Sequence, residues 1–156
     1  MTKLSNEVVE FFRRQPFTIV SSLDKRGIPH NSCKGVVKIN RNGAIYLLDL
    51  YKARTFENLK RNPRISITAV NEHSFEGYCL KGKAKIITGK GIKMPVLRDW
   101  EARITNRITQ RIIKNLQGEK GHSRQPEALF PKPEYLILMK VSEVIDLTPQ
   151  HLRKEA

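Results

Sequence analysis

A turn rich in cationic and hydroxyl side chains follows the apolar segment 44–48 and precedes a helical pattern. It contains Lys52, Arg54 and Thr55. The first amides of a helix have no partner within the helix, and the helix dipole favours an anion at that end. An arginine adds a planar pair of donors that fits a phosphate group. This combination predicts a phosphate-binding site at the start of the helix.

A simpler explanation of the same turn is purely structural. Thr55 can cap the helix while Lys52 and Arg54 are solvated, and such turns are common in proteins. From spacing alone we favour this explanation. The neighbouring strand adds Ser32 and Lys34, which lie close to the turn if that strand pairs with the strand before it through the Asn-Gly turn.

Short strands, mostly joined by tight turns, must position these side chains. The predicted strands are 17–23, 30–39, 44–49, 64–71, 78–88 and 135–145, and Gly82 predicts a bulge in the fifth. A 3.6-residue period predicts helices at 6–14, 51–62 and 98–116, with Asn6 capping the first. Because the first three strands lack helical crossovers, we predict a mainly β fold, a six-stranded antiparallel β-barrel with helical appendages.

The predicted helix 98–116 carries two stripes. They are Ile104, Ile108, Ile112 and Leu116 on one side and Arg103, Arg107 and Arg111 beside it. The apolar stripe predicts that the helix packs against the barrel. We expect the arginines to form a solvated face, and contact with nucleic-acid phosphates is the alternative.

The order of elements from residue 17 to about 88 resembles the pyridoxamine 5'-phosphate oxidase-like family of FMN-binding split barrels. Three segments carry the resemblance: Thr18-Ile19-Val20-Ser21-Ser22-Leu23-Asp24-Lys25-Arg26-Gly27-Ile28-Pro29-His30, Asn58-Leu59-Lys60-Arg61-Asn62-Pro63 and Gly82-Lys83-Ala84. The resemblance covers roughly half of the chain, and the order of the three segments is more specific than any one motif. The resemblance implies one FMN-binding split-barrel domain over residues 1–156, with a helical insertion at about 89–133.

The same resemblance implies that FMN lies at the interface of a homodimer. Arg54 and Thr55 fall where a basic pair of the family meets the phosphate, and Lys34 falls near a basic position of the second strand. Lys52 would supply charge in place of the lysine that often stands at position 55. Near the flavin ring or its ribityl chain the resemblance places Ser32, Cys33 and Asp49.

The activity implied by the resemblance is that of an FMN-dependent oxidoreductase or flavin reductase acting on a small molecule or an electron carrier. No catalytic side chain is identified. Because a fold does not fix a function, an electron-transfer or storage module is an alternative, and so are FAD, a deazaflavin or haem as the cofactor. Segment 150–156 lacks the Trp- and Arg-containing pattern that completes the substrate pocket of the true oxidase, so pyridoxamine phosphate oxidation is not expected.

The formal net charge of +14 over 156 residues predicts a surface that attracts anions, and it keeps a nucleic-acid-binding barrel as a third hypothesis. Two cysteines, no leader-like segment and no long apolar stretch favour the reducing cytoplasm without a membrane span. We expect Cys33 to be a small buried strand residue rather than a redox thiol. The four histidines show no metal-ligand spacing, so no metal site is predicted.

Overall fold

Seven antiparallel strands form one sheet in the computed structural model, which describes residues 2–119 and 126–153. The strands are β1 (Thr18–Leu23), β2 (Pro29–Lys34), β3 (Lys38–Ile39), β4 (Ala44–Asp49), β5 (Arg64–Asn71), β6 (Glu76–Thr88) and β7 (Tyr135–Asp146). Their order across the sheet is β2-β1-β5-β6-β7-β4-β3, and each neighbouring pair is antiparallel. The predicted mainly β, antiparallel architecture with helical appendages is confirmed, although the sheet is not closed.

The predicted strand 30–39 is two strands, and the count is therefore seven rather than six. β2 pairs with β1 at one edge of the sheet, whereas β3 pairs with β4 at the opposite edge. The three linking residues, 35–37, allow at most about 14 Å between the Cα atoms of Lys34 and Lys38. The sheet must therefore curl until its edges approach each other. We call the gap between β2 and the β3–β4 edge the split.

Inward-facing side chains of the curled sheet form the main core. Its fully buried members include Val20, Ile45, Leu47, Ile67, Leu80, Ile137 and Met139. A helix, α1 (Asn6–Arg14), packs its apolar side against this core and has the predicted bounds. Its N-cap is Ser5 rather than Asn6, because the Ser5 hydroxyl accepts a hydrogen bond from the amide of Val8 at 3.2 Å.

The bulge predicted at Gly82 is confirmed. The register between β6 and β7 shifts between Lys81 and Gly82. A Cβ atom at position 82 would lie 2.1 Å from the carbonyl oxygen of Lys140. Only glycine allows the two backbones to approach this closely, and the bulge bends the long strand β6 as the sheet curls.

Two further helices lie against the sheet: α2 (Arg54–Arg61), within the predicted 51–62, and α3 (Met94–Leu116), which begins before the predicted 98–116. α3 covers outward-facing side chains of the sheet through its N-terminal half. In this second apolar cluster, Val96, Leu97 and Trp100 pack against Val37, Leu48 and Leu136. None of the helices in the described ranges combines the length and apolarity that a membrane span requires.

The contact predicted for the isoleucine stripe of α3 is only partly present. Ile104 and Ile108 are half-buried, whereas Ile112 and Leu116 are 44% and 83% exposed. α3 begins at Met94, whereas its apolar period predicted a start at residue 98. Its packing residues therefore lie earlier in the chain, and the C-terminal half leaves an apolar side in solvent.

The arginine stripe of α3 is not a solvated face, and that prediction is wrong. Glu127 is 4% exposed, and both of its carboxylate oxygens accept hydrogen bonds from Arg111. The guanidinium of Arg107 lies 3.5 Å from the same carboxylate, and Arg103 donates to the carbonyl oxygen of Gln15 at 3.3 Å. The stripe thus attaches α3 to neighbouring segments instead of facing an external polyanion.

The segment between α3 and β7 contains a short 3-10 turn at Pro126–Leu129. Residues 120–125, with His122, lie outside the described residues, as do residues 154–156 of the C-terminal segment.

The Glu127 contact predicts a pH-dependent contribution to stability. Hydrogen bonding from Arg111 lowers the pKa of Glu127 from 4.5 to about 2. A lowered folded-state pKa means that the stabilisation is complete above the unfolded pKa and is lost as the pH falls towards about 2. Glu127→Gln should therefore reduce the free energy of unfolding by on the order of 3 kcal/mol at neutral pH.

Urea unfolding of both proteins between about pH 6 and about pH 3 measures this difference, which should shrink across that interval. Glu119→Gln is the matched control, because Glu119 is exposed and lies 3.9 Å from Lys114. An equal stability difference at both ends of the interval would contradict the assignment.

Candidate functional site

A largely buried carboxylate at the end of β4 spans the split. Asp49 accepts hydrogen bonds from the ammonium of Lys34, from the hydroxyl of Tyr135 at 2.6 Å and from the amide of Leu50 at 2.9 Å. The side chains of Lys34 and Asp49 are 9% and 16% exposed, so water screens their attraction weakly. The ion pair therefore joins β2 to β4, two strands that do not pair with each other in the sheet.

Tyr135 completes this network as a permanent donor. Its side chain is fully buried, and burial raises the pKa of its hydroxyl well above the ordinary value of 10, with the Asp49 carboxylate adding to the effect. The hydroxyl keeps its proton at neutral pH and holds Asp49 in place. Sequence reasoning missed Tyr135, because only the β4–β7 register places it opposite Asp49.

The start of α2 is fixed by hydroxyl and amide side chains. Thr55 is buried, and its hydroxyl lies 3.1 Å from the hydroxyl of Ser32 on β2. One turn later, the side-chain amide of Asn58 donates to the hydroxyl of Ser22 on β1 at 3.0 Å. α2 is thereby attached to both β1 and β2. The alternative that Thr55 caps the helix is wrong, because the N-cap position is Ala53.

The predicted proximity of Ser32 and Lys34 to the turn is present, but the predicted route to it is wrong. β2 pairs with β1 and not with β4. Both side chains face the turn because the sheet curls and brings β2 across the split. They are two residues apart, so they lie on the same face of the strand.

Lys52 and Arg54 are exposed on an open cleft of about 830 Å³ between the β1–β2 turn and α2. The charged side chains lining this cleft are Lys25, Arg26, Lys52, Arg54 and Arg61, with Asp24 and Glu57 as the two carboxylates. Asp24 already accepts hydrogen bonds from the amides of Ile28 and Arg26, and the Ile28 bond in particular lowers its pKa. Five cations against two carboxylates give a cleft that attracts anions.

Cys33 is exposed, which contradicts the expectation that it is buried. Side chains alternate along a strand, so Cys33 faces away from its neighbours Ser32 and Lys34. It contributes instead to a cavity of about 140 Å³ between β2, the end of β4 and α3. Other residues of its lining include Leu48, Leu50, Trp100, Arg103 and Phe130. Sequence reasoning did not place Trp100 here, because the residues of α3 that pack against the sheet precede the predicted isoleucine stripe.

The residues at the start of α2 fit a phosphate group. Ala53 has no side-chain atom that could cap the helix, so the first amides of α2 are available to an anion. Thr55 offers a hydroxyl beside them, and Lys52 and Arg54 offer cationic donors. Within the described residues, no group of three or more His, Cys, Asp or Glu side chains is arranged to hold a metal ion.

Solved structures match the chain over almost its whole length. HupZ from Group A Streptococcus has a TM-score of 0.63 at 16% identity and covers 93% of this chain and 94% of its own. A putative pyridoxamine 5'-phosphate oxidase from Lactobacillus delbrueckii has a TM-score of 0.62 at 16% identity, covering 93% and 95%. HutZ, the haem storage protein from Vibrio cholerae, has a TM-score of 0.54 at 16% identity, covering 92% and 94%. These likenesses show a shared fold.

No curated protein sequence matches the chain at a significant level. Residues 4–132 match the family model described as pyridoxamine 5'-phosphate oxidase. This match spans most of the chain and confirms the resemblance carried by the hairpin, the post-strand helix and the Gly82 strand. The chain belongs to the pyridoxamine 5'-phosphate oxidase family.

Proposed function

We propose that the chain is an FMN-binding flavoprotein, a single split-barrel domain that works as a homodimeric oxidoreductase or flavin reductase. One observation carries the proposal: a helix start without a capping side chain, where the buried Thr55 hydroxyl meets Ser32 and where Lys52 and Arg54 stand at the mouth of a cationic cleft. A phosphate monoester is the ligand group that uses all of these donors together.

Six of the seven predicted site residues have a part in this proposal, and Cys33 has none. Arg54, Lys52, Thr55 and the first amides of α2 bind the phosphate. Ser32 positions the Thr55 hydroxyl. The Lys34–Asp49 pair fixes β2 beside the end of β4, where the remainder of the cofactor would extend. Cys33 faces the cavity on the other side of β2.

The bound flavin would supply hydride or electron transfer, which protein side chains do not perform alone. The contribution of the chain is to bind and orient the cofactor and to exclude water around it.

Exposed apolar side chains support the homodimer. They include Phe17 and Ile19 on and beside β1 and Ile112, Ile113 and Leu116 on α3, which are 41–83% exposed. A second copy of the chain would bury such side chains, since apolar surface favours removal from water.

Haem is the main alternative cofactor, because HutZ is a haem storage protein of the same fold. Haem iron requires an axial ligand, and His30 lines the cationic cleft. The hydroxyl pair at the start of α2 favours FMN, because these groups bind phosphate oxygens and not iron. FAD and a deazaflavin also carry phosphate groups, so the same donors would bind them.

An absorption spectrum separates these cofactors. Full-length protein is recorded as purified, then again after incubation with FMN and removal of the excess. We expect flavin bands in the near-ultraviolet and blue that persist after the removal. A Soret band would assign haem instead, and a protein that retains no chromophore would contradict the proposal.

The phosphate site makes a quantitative prediction for Lys52→Ala/Arg54→Ala. Loss of two charge-assisted donors should weaken FMN binding by roughly 2–4 kcal/mol, which is about 30- to 1,000-fold in Kd. Quenching of flavin fluorescence measures the affinity. Lys60→Ala/Lys140→Ala is the matched control, because it removes the same charge from exposed positions that do not line the cleft. Equal losses of FMN affinity in both variants would show that the effect depends only on net charge. An unchanged FMN affinity in Lys52→Ala/Arg54→Ala would contradict the proposed phosphate site.

A further inference from the structure

The cavity beneath α3 has apolar and aromatic walls, and Arg103 is one of the charged residues of its lining. Its lining includes Leu48, Leu50 and Phe130, together with Trp100 and Arg103 from α3. Trp100 and Arg103 are three residues apart and so lie on the same face of the helix. We call this space the α3 cavity.

Arg103 is the cation of the α3 cavity whose charge is not compensated. Lys34 is paired with Asp49, and Arg107 lies beside Glu127. Among residues 2–119 and 126–153, no carboxylate forms an ion pair with Arg103, which donates one hydrogen bond to the carbonyl oxygen of Gln15. A guanidinium has five donors, so a further acceptor can be bound in its plane.

Burial makes this uncompensated charge costly. Arg103 is half-buried, and desolvation, followed by repulsion from Arg107, lowers the pKa of its guanidinium. An anion bound in the cavity would relieve both effects, because it would replace lost hydration and screen the neighbouring cation. A bound cation would worsen them.

The volume limits the size of the ligand. The α3 cavity measures about 140 Å³. An apolar cavity of about 150 Å³ in another protein binds benzene, so one six-membered ring fits a space of this size. The aromatic wall provided by Trp100 and Phe130 favours a planar ring over an aliphatic chain.

We propose that the α3 cavity binds a single-ring aromatic carboxylate, with Arg103 holding the carboxylate and Trp100 lying against the ring. A carboxylate matches the planar fork of the guanidinium through two parallel hydrogen bonds. Binding itself is independent of the cofactor.

Trp100 provides the readout, because it is the one tryptophan of the sequence. Full-length protein is titrated with benzoate, and Trp100 fluorescence is followed with and without saturating FMN. We expect a saturable change in both conditions. Arg103→Ala should raise the Kd for benzoate by roughly 10- to 100-fold, and the neutral analogue benzamide should bind the unaltered protein correspondingly weakly.

Arg98→Ala is the matched control, because Arg98 is an exposed arginine of the same helix. Benzoate binding should be unchanged in this variant, and FMN binding should be unchanged in Arg103→Ala. The proposal is overturned if Arg103→Ala binds benzoate like the unaltered protein, if benzylamine binds as tightly as benzoate, or if FMN displaces benzoate competitively. Benzoate binding without FMN binding would sustain the cavity site while the flavoprotein proposal fails.

Discussion

The ion pair between Lys34 and Asp49 controls how the two edges of the sheet meet. The short link 35–37 brings the edges close, but a link alone does not fix their relative positions. The ion pair does so across the split, and the buried hydroxyl of Tyr135 holds Asp49 from the β7 side. Because both charges are largely buried, removing either partner would leave the other uncompensated, which is strongly destabilising in proteins.

The proposed cofactor site follows from this closure. With β2 held across the split, Ser32 meets the Thr55 hydroxyl at the start of α2, and the cationic cleft opens beside it. On the opposite face of β2, the space around Cys33 is covered by α3, which Glu127 fastens through the helix arginines. One strand thus separates the proposed phosphate site from an apolar, aromatic cavity.

Much of the fold could be predicted because its signals are local. Alternating apolar residues and turn residues predicted the strands. A cationic turn before a helical period predicted that Lys52, Arg54 and Thr55 lie at the start of a helix. The break within 30–39 could not be predicted, since it depends on pairing with two strands at opposite edges. Tyr135 contacts Asp49 across 86 positions in the sequence. The arginines of α3 gave the pattern of a solvated face, because no local signal showed that Glu127 is their buried partner.

We propose that the start of α2 binds the phosphate of FMN. A comparison of the affinities of the full-length protein for FMN and for riboflavin, which has the same ring and ribityl chain but no phosphate, tests this directly. We expect FMN to bind tighter by roughly 100-fold or more, as two or more charge-assisted hydrogen bonds require. Equal affinities would show that the phosphate makes no net contribution and would contradict the proposed site.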